Sequence, residues 1–168
     1  MTIHDEHPFL PPEGERSVVR RLRARWPAGV AVVTTGAGRS RVGLTVSSLV
    51  VVDGDPGVVL MMLDPLSDLA EALTVGVACV VNVLGPGQGD LAEVFAGRAP
   101  APGGPFTVGR WSDGAHGPEL VGSAALARGR VSHVADHETG WSVRHEVELE
   151  SVDLIDLAPL RHERGTYR

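Results

Sequence analysis

There is no lysine in this chain; all 15 of its basic residues are arginines. That absence excludes a Schiff-base lysine and a P-loop lysine. A basic surplus is missing too. The formal net charge is −6, so the electrostatic footprint of a nucleic-acid binder is absent. The single cysteine, Cys79, can form neither an internal disulfide nor a zinc site by itself. Within Val77-Ala78-Cys79-Val80-Val81 it reads as a small buried hydrophobe. No uncharged apolar run approaches the roughly 18–20 residues of a membrane span, and the polar, acidic N-terminus has no leader pattern. The expectation is a soluble, cytoplasmic protein without membrane contact.

Catalytic signatures are equally scarce. There is no G-x-S-x-G elbow and no G-x-G-x-x-G after a strand; Gly36-Ala37-Gly38 falls in a turn. His133 and His137 are four apart but bracket a strand end, where that spacing does not bring them to one face, so no metal site is expected. An enzyme made from this chain takes its reactivity from a bound cofactor.

What is present is β-rich. A chain of 168 residues with 43% hydrophobic content and 21 glycines suits one compact domain, here residues 15–168 behind a mobile arm over 1–14. Glu15 to Trp26 is predicted helical, with Val18, Leu22 and Trp26 on one stripe and the arginines solvated. Strands are predicted over 29–35, 43–52, 58–63 and 77–84, and longer ones over 124–135 and 141–157; residues 99–119 read as a Gly/Pro-rich connection. The class is mainly β, an antiparallel barrel with a few short helices.

The organising stretch is Gly43-Leu44-Thr45-Val46-Ser47-Ser48, running into Leu49-Val50-Val51-Val52. Its period-two alternation breaks at the serine pair, whose hydroxyls need partners inside an otherwise buried strand. Either they bond neighbouring strands, or a bulge turns them toward a ligand. Asn82 poses the same question in an apolar strand. Asp64-Pro65-Leu66-Ser67 is predicted to open a short helix with Pro65 in its first turn, offering either simple capping or an anion site. Asp90, with Glu93 three residues on, is predicted to cap another helix, stopped by Gly97; Arg98 follows, where a guanidinium could reach a phosphate.

Six segments in order resemble the flavin reductase-like family of FMN-binding split barrels: Pro27 to Thr35, Val42 to Leu49, Pro56 to Leu73, Val81-Asn82-Val83-Leu84, Leu91 to Gly97 and Arg164-Gly165-Thr166-Tyr167. The resemblance implies a homodimer binding FMN (or FAD) near its interface. It also implies hydride transfer from NADH or NADPH to flavin, often on behalf of a partner monooxygenase. Thr45, Val46, Ser47 and Ser48 would line the isoalloxazine. Asp64 and Ser67 would lie near the ribityl-phosphate, and Phe95, Ala96, Gly97 and Arg98 would close over the flavin tail. Many members carry Gly-Asp-His before the penultimate strand. Thr139-Gly140-Trp141 stands about there instead, which makes His137, Trp141 and His162 the candidate catalytic residues. A flavin-binding protein without reductase activity and a ligand-free dimeric module are the competing readings.

Overall fold

The computed structural model describes residues 17–168; the arm expected over 1–14 lies outside the described residues. A short helix, α1 (Val18–Arg25), is capped by Ser17, whose hydroxyl accepts from the Arg20 amide. Strands β1 (Ala28–Gly29), β2 (Ala31–Thr35), β3 (Val42–Val46), β4 (Leu49–Val52) and β5 (Val58–Leu63) follow, then α2 (Asp68–Ala72), β6 (Ala78–Val83) and α3 (Gly89–Phe95). The C-terminal half holds β7 (Trp111–Gly114), β8 (Gly117–Leu120), β9 (Ala125–Thr139), β10 (Ser142–Leu154), β11 (Arg161–Glu163) and β12 (Thr166–Tyr167). The mainly-β expectation holds, but the supposed connection over 99–119 contains the β7–β8 hairpin. Its short strands lack clear alternation, so periodicity could not find them.

The main sheet is antiparallel, seven-stranded and ordered β3-β2-β6-β9-β10-β5-β4. Its two outermost strands are consecutive in the chain, joined only through Ser47-Ser48. Three residue steps span at most about 11 Å, so the first and last strands must approach each other and the sheet curls into a half-barrel. One core lies inside the curl, with Val33, Met61, Leu63, Val81, Val131 and Val147 sealed by Leu69 and Leu73 around α2. The opposite face of β2 and β6 packs on α3, where Val32 and Leu84 meet Leu91, Ala92 and Phe95. β2 is therefore buried on both faces, which explains its near-continuous apolar run. Cys79 lies in the inner core, and burial pushes its thiol up to about 12.

The helix α1 departs from expectation. Its stripe exists, but Val18, Leu22 and Trp26 are 78%, 63% and 75% exposed, and none of its residues is buried. The Arg164 amide donates to the Ala24 carbonyl (2.7 Å), and β11 pairs with β1 just beyond the helix.

Candidate functional site

The polar break between β3 and β4 is built from hydroxyls that mostly find backbone partners. Thr45 Oγ1 donates to the Ala92 carbonyl on α3 at 2.7 Å. Ser48 Oγ donates to the Met62 carbonyl at 2.8 Å, while the Met62 amide donates to the Ser48 carbonyl at 2.9 Å. Ser47 is half-buried, and its hydroxyl has no partner among the described residues. So the bonded-neighbour alternative describes Thr45 and Ser48, and Ser47 is left available. The segment interrupts the strand rather than bulging it, because β3 pairs β2 while β4 pairs β5. Among the described residues β3 is paired on one side only, so its other edge presents free backbone donors and acceptors. Gly43 on this strand is packed against α3: a Cβ there would come within 2.7 Å of the Phe95 ring.

The loop after β5 approaches the same end of the sheet. Asp64 Oδ1 accepts from the Leu66 amide at 2.9 Å, and Ser67 Oγ accepts from the Ala70 amide at 3.2 Å. Ser67 is thus the N-cap and α2 begins at Asp68, which corrects the expectation that Pro65 stands in the first turn. A hydroxyl placed to cap wins over the proline because it satisfies an amide the helix start leaves open. Leu66, in the same turn, is 91% exposed. Beside it opens a cleft of about 370 Å³ lined by Pro65, Leu66, Ala70 and Glu71 on one wall and Val134, Val143 and His145 on the other.

The end of α3 forms a third wall of chemistry. Its cap is Gln88, not Asp90: Gln88 Oε1 accepts from the Gly85 amide at 2.7 Å and Nε2 donates to the Gly122 carbonyl at 3.0 Å. The helix stops as predicted at Gly97, with φ 69°. The Arg98 amide donates to the Glu93 carbonyl and the Gly97 amide to that of Val94, a Schellman closure. This closure turns the Arg98 side chain back onto Glu93, which it grips with two hydrogen bonds of 2.7 and 3.0 Å. Tyr167 completes the group, donating to Glu93 at 2.6 Å and accepting from Arg98 at 2.8 Å; the His162 ring lies 5.0 Å from its own. Burial alone would raise the Glu93 carboxyl, but hydrogen bonds from Tyr167 and Arg98 and the guanidinium charge hold it below the ordinary carboxylate value. Burial, then the bond to Glu93, push the Tyr167 phenol up to about 12. Burial and the Arg98 charge lower His162.

The remaining catalytic candidates lie on the β9–β10 hairpin. Val134 pairs His145 and Glu138 pairs Val143, so residues 135–137 oppose the single Arg144 in a bulge that carries His137 at the surface. Trp141 sits with Gly140 in the hairpin turn and is 85% exposed, so it does not fill the interior. The structure thus brings Thr45 against α3, Ser48 against β5 and Arg98 beside His162, whereas His137 and Trp141 extend outward.

A model of the flavin reductase like domain matches residues 23–168. The chain belongs to that family. Its curated flavin reductase relatives include NADH-dependent FMN reductase AsuE2 of Streptomyces nodosus subsp. asukaensis, 36% identical over 92% of this chain and 85% of its own. The NADH:FMN oxidoreductase of Rhodococcus erythropolis is 31% identical over 88% of this chain and 78% of its own. Among solved structures, the NADH:FAD oxidoreductase SgcE6 of Streptomyces globisporus superposes with a TM-score of 0.80 at 26% identity, covering 95% of both chains.

The residues of this flavin reductase homologue fit a flavin ring better than they fit its phosphate. The open β3 edge and the Ser47 hydroxyl suit the alternating donors and acceptors of an isoalloxazine. At the start of α2 the Asp68 and Leu69 amides have no partner among the described residues, but Asp64, Asp68 and Glu71 make that surface acidic and residues 64–76 contain no base. Arg98 is the one base among the flavin-side candidates, and Glu93 already holds it. Sequence reading missed Glu93 and Tyr167 as partners of Arg98, since Glu93 read as part of a cap. It also missed His145, which the alternation places in the core.

Proposed function

We propose that this protein is an NADH-dependent flavin reductase that binds FMN along the β3 edge and passes reduced flavin to a partner monooxygenase. The observation that carries this reading is the interrupted strand at Thr45–Ser48, open at one edge, in a chain aligned over nine-tenths of its length with an NADH-dependent FMN reductase. Flavin supplies the hydride chemistry when bound; the chain supplies position and hydrogen bonds. Thr45, Val46, Ser47 and Ser48 would flank the ring, and Phe95, Ala96 and Gly97 would border its tail. Arg98 would hold the phosphate after yielding part of its grip on Glu93, with Asp64 and Ser67 near the ribityl chain.

We infer further that residues 15–168 act as one split-barrel domain in a cytoplasmic homodimer. Val18, Leu22, Trp26, Val50, Val51 and Leu154 are large apolar side chains left exposed in one chain, surface that a second copy would cover. Sedimentation at micromolar concentration should show a dimer; a monomer alone would overturn that part.

The activity is tested by FMN fluorescence quenching followed by NADH oxidation with and without FMN, and with NADPH as control. Saturable FMN binding and FMN-dependent NADH oxidation are expected. FMN binding without NADH oxidation would leave a flavin-binding protein that is not a reductase.

A further inference from the structure

The guanidinium of Arg98 has a closed side and an open one. Its Nε and Nη2 donate to the two Glu93 carboxylate oxygens at 3.0 and 2.7 Å, and Nη2 also donates to the Tyr167 hydroxyl at 2.8 Å. Nη1 has no hydrogen-bond partner among the described residues. The Arg98 and Glu93 side chains are 36% and 33% exposed, so a ligand reaches the pair from solvent. The pair also adjoins β3. Glu93 directly follows Ala92, whose carbonyl accepts from Thr45 Oγ1, and consecutive Cα atoms lie about 3.8 Å apart. Two residues on, the Phe95 ring packs against Gly43 of the same strand. Despite burial, hydrogen bonds from Tyr167 and Arg98 hold the Glu93 carboxyl below its ordinary value, so it is ionised at neutral pH.

Resting on the reading that Arg98 meets the flavin phosphate, we propose that Glu93 is an autoinhibitory carboxylate, which offsets the Arg98 charge and keeps FMN exchangeable. A lone guanidinium grips a phosphate monoester through charge-assisted hydrogen bonds. Paired with Glu93 it presents a neutral group with one open nitrogen, and the carboxylate repels the incoming phosphate. Tyr167 donates to Glu93 at 2.6 Å and fixes the carboxylate beside the guanidinium, so its rotation away from a phosphate is resisted. Flavin destined for a second enzyme is a substrate and a product here, and a short residence serves that exchange. In this division the uncharged Thr45–Ser48 segment selects the ring, and Glu93 limits how long the phosphate stays.

The experiment measures FMN and riboflavin binding to the full chain by fluorescence quenching, and FMN dissociation by stopped flow. Glu93→Gln keeps an oxygen for Arg98 but removes the charge. At low salt it should bind FMN about fivefold more tightly, the effect of one repulsive charge at a solvent-exposed site, chiefly through slower dissociation. The gain should shrink at high salt, and riboflavin affinity should match wild type, which also reports that the variant is folded. Glu93→Ala, which removes the grip as well as the charge, should shift FMN in the same direction. Unchanged FMN affinity of Glu93→Gln at low salt overturns the proposal. Weaker FMN binding by either variant, with riboflavin unchanged, also overturns it and leaves Glu93 as a residue that positions Arg98. Arg98→Ala separates two levels of failure. If it weakens FMN alone while Glu93→Gln changes nothing, the phosphate assignment stands and the Glu93 assignment falls; if it weakens FMN and riboflavin equally, both fall together.

Discussion

Asn82 and Ser47 are both polar intrusions into apolar runs, and they end in opposite states. Asn82 is fully buried in the central strand β6. Its Nδ2 donates to the Val32 carbonyl at 2.9 Å and to Thr34 Oγ1 at 3.0 Å, and its Oδ1 accepts from the Leu120 amide at 2.7 Å. Thr34 Oγ1 in turn donates to the Pro118 carbonyl at 2.6 Å, so the pair fastens the β7–β8 hairpin to the sheet. The Thr45–Ser48 segment lies at an edge, with one flank of β3 unpaired and Ser47 without a partner among the described residues. A polar side chain between two strands is satisfied from within, whereas one at an edge keeps capacity for a ligand. The comparison separates architecture from site using one residue chemistry.

The largest expected effect breaks the closed side. Asn82→Ala strands the Leu120 amide in a buried place and unties Thr34 from β6, and should cost about 3 kcal/mol in urea unfolding. The fraction that stays folded should keep its FMN affinity; a parallel loss of affinity would mean that Asn82 belongs to the site. Next in size is Arg98→Ala, which should weaken FMN by tenfold or more, from roughly 1.5–3 kcal/mol for a charge-assisted bond, while riboflavin binding changes little. Equal weakening of both ligands in fluorescence titrations would move the phosphate elsewhere.

A pH measurement sharpens the clip beside Arg98. The Tyr167 phenol ionises near 10 when unfolded and is pushed up to about 12 in the fold. Its folded value is raised, so its contribution to stability is full below pH 10 and is lost as pH rises through about 12. Tyr167→Phe should therefore melt below wild type at neutral pH, with the gap closing across that window. Glu93 acts at the other end of the scale. Its folded value lies below the ordinary 4.5, so its contribution is present above that pH and disappears as pH falls through the folded value. Glu93→Gln should flatten the acid limb of the same melting curve.

Smaller still is Ser48→Ala, which removes one half-buried hydrogen bond to Met62 and should cost about 1 kcal/mol. The smallest is Trp141→Ala. With 85% of that side chain exposed, thermal melting should register less than about 0.5 kcal/mol. A larger loss would show that the turn is covered in the assembled protein.

Much of this was legible from one sequence. Strand-length apolar runs located β2, β5 and β6, and the left-handed residue needed at a helix stop identified Gly97. The helix starts were misread for different reasons. Ser67 won over Asp64-Pro65 because its hydroxyl accepts from the Ala70 amide, whereas α3 starts behind Gln88, whose side chain ties the preceding loop to Gly85 and Gly122 without capping the helix. At the site, Ser47 and Ser48 stood out as polar residues in an apolar run. Glu93 and Tyr167 did not, since they are 74 residues apart in the chain and meet only after folding.

The sequence by itself determined the mainly-β class, the order of the strands along the chain and the family, because period-two patterning, turn residues and short motifs are local properties that survive without coordinates. Tertiary structure alone decided which polar residues are closed and which are open. Whether a hydroxyl or an imidazole finds a partner depends on what crosses from the next strand or helix. Only the strand order of the folded sheet makes β3 an edge, only the meeting of β12 with the end of α3 places Arg98 against Tyr167, and only the pairing of β10 with β5 and β9 brings His145 to the wall of a cleft.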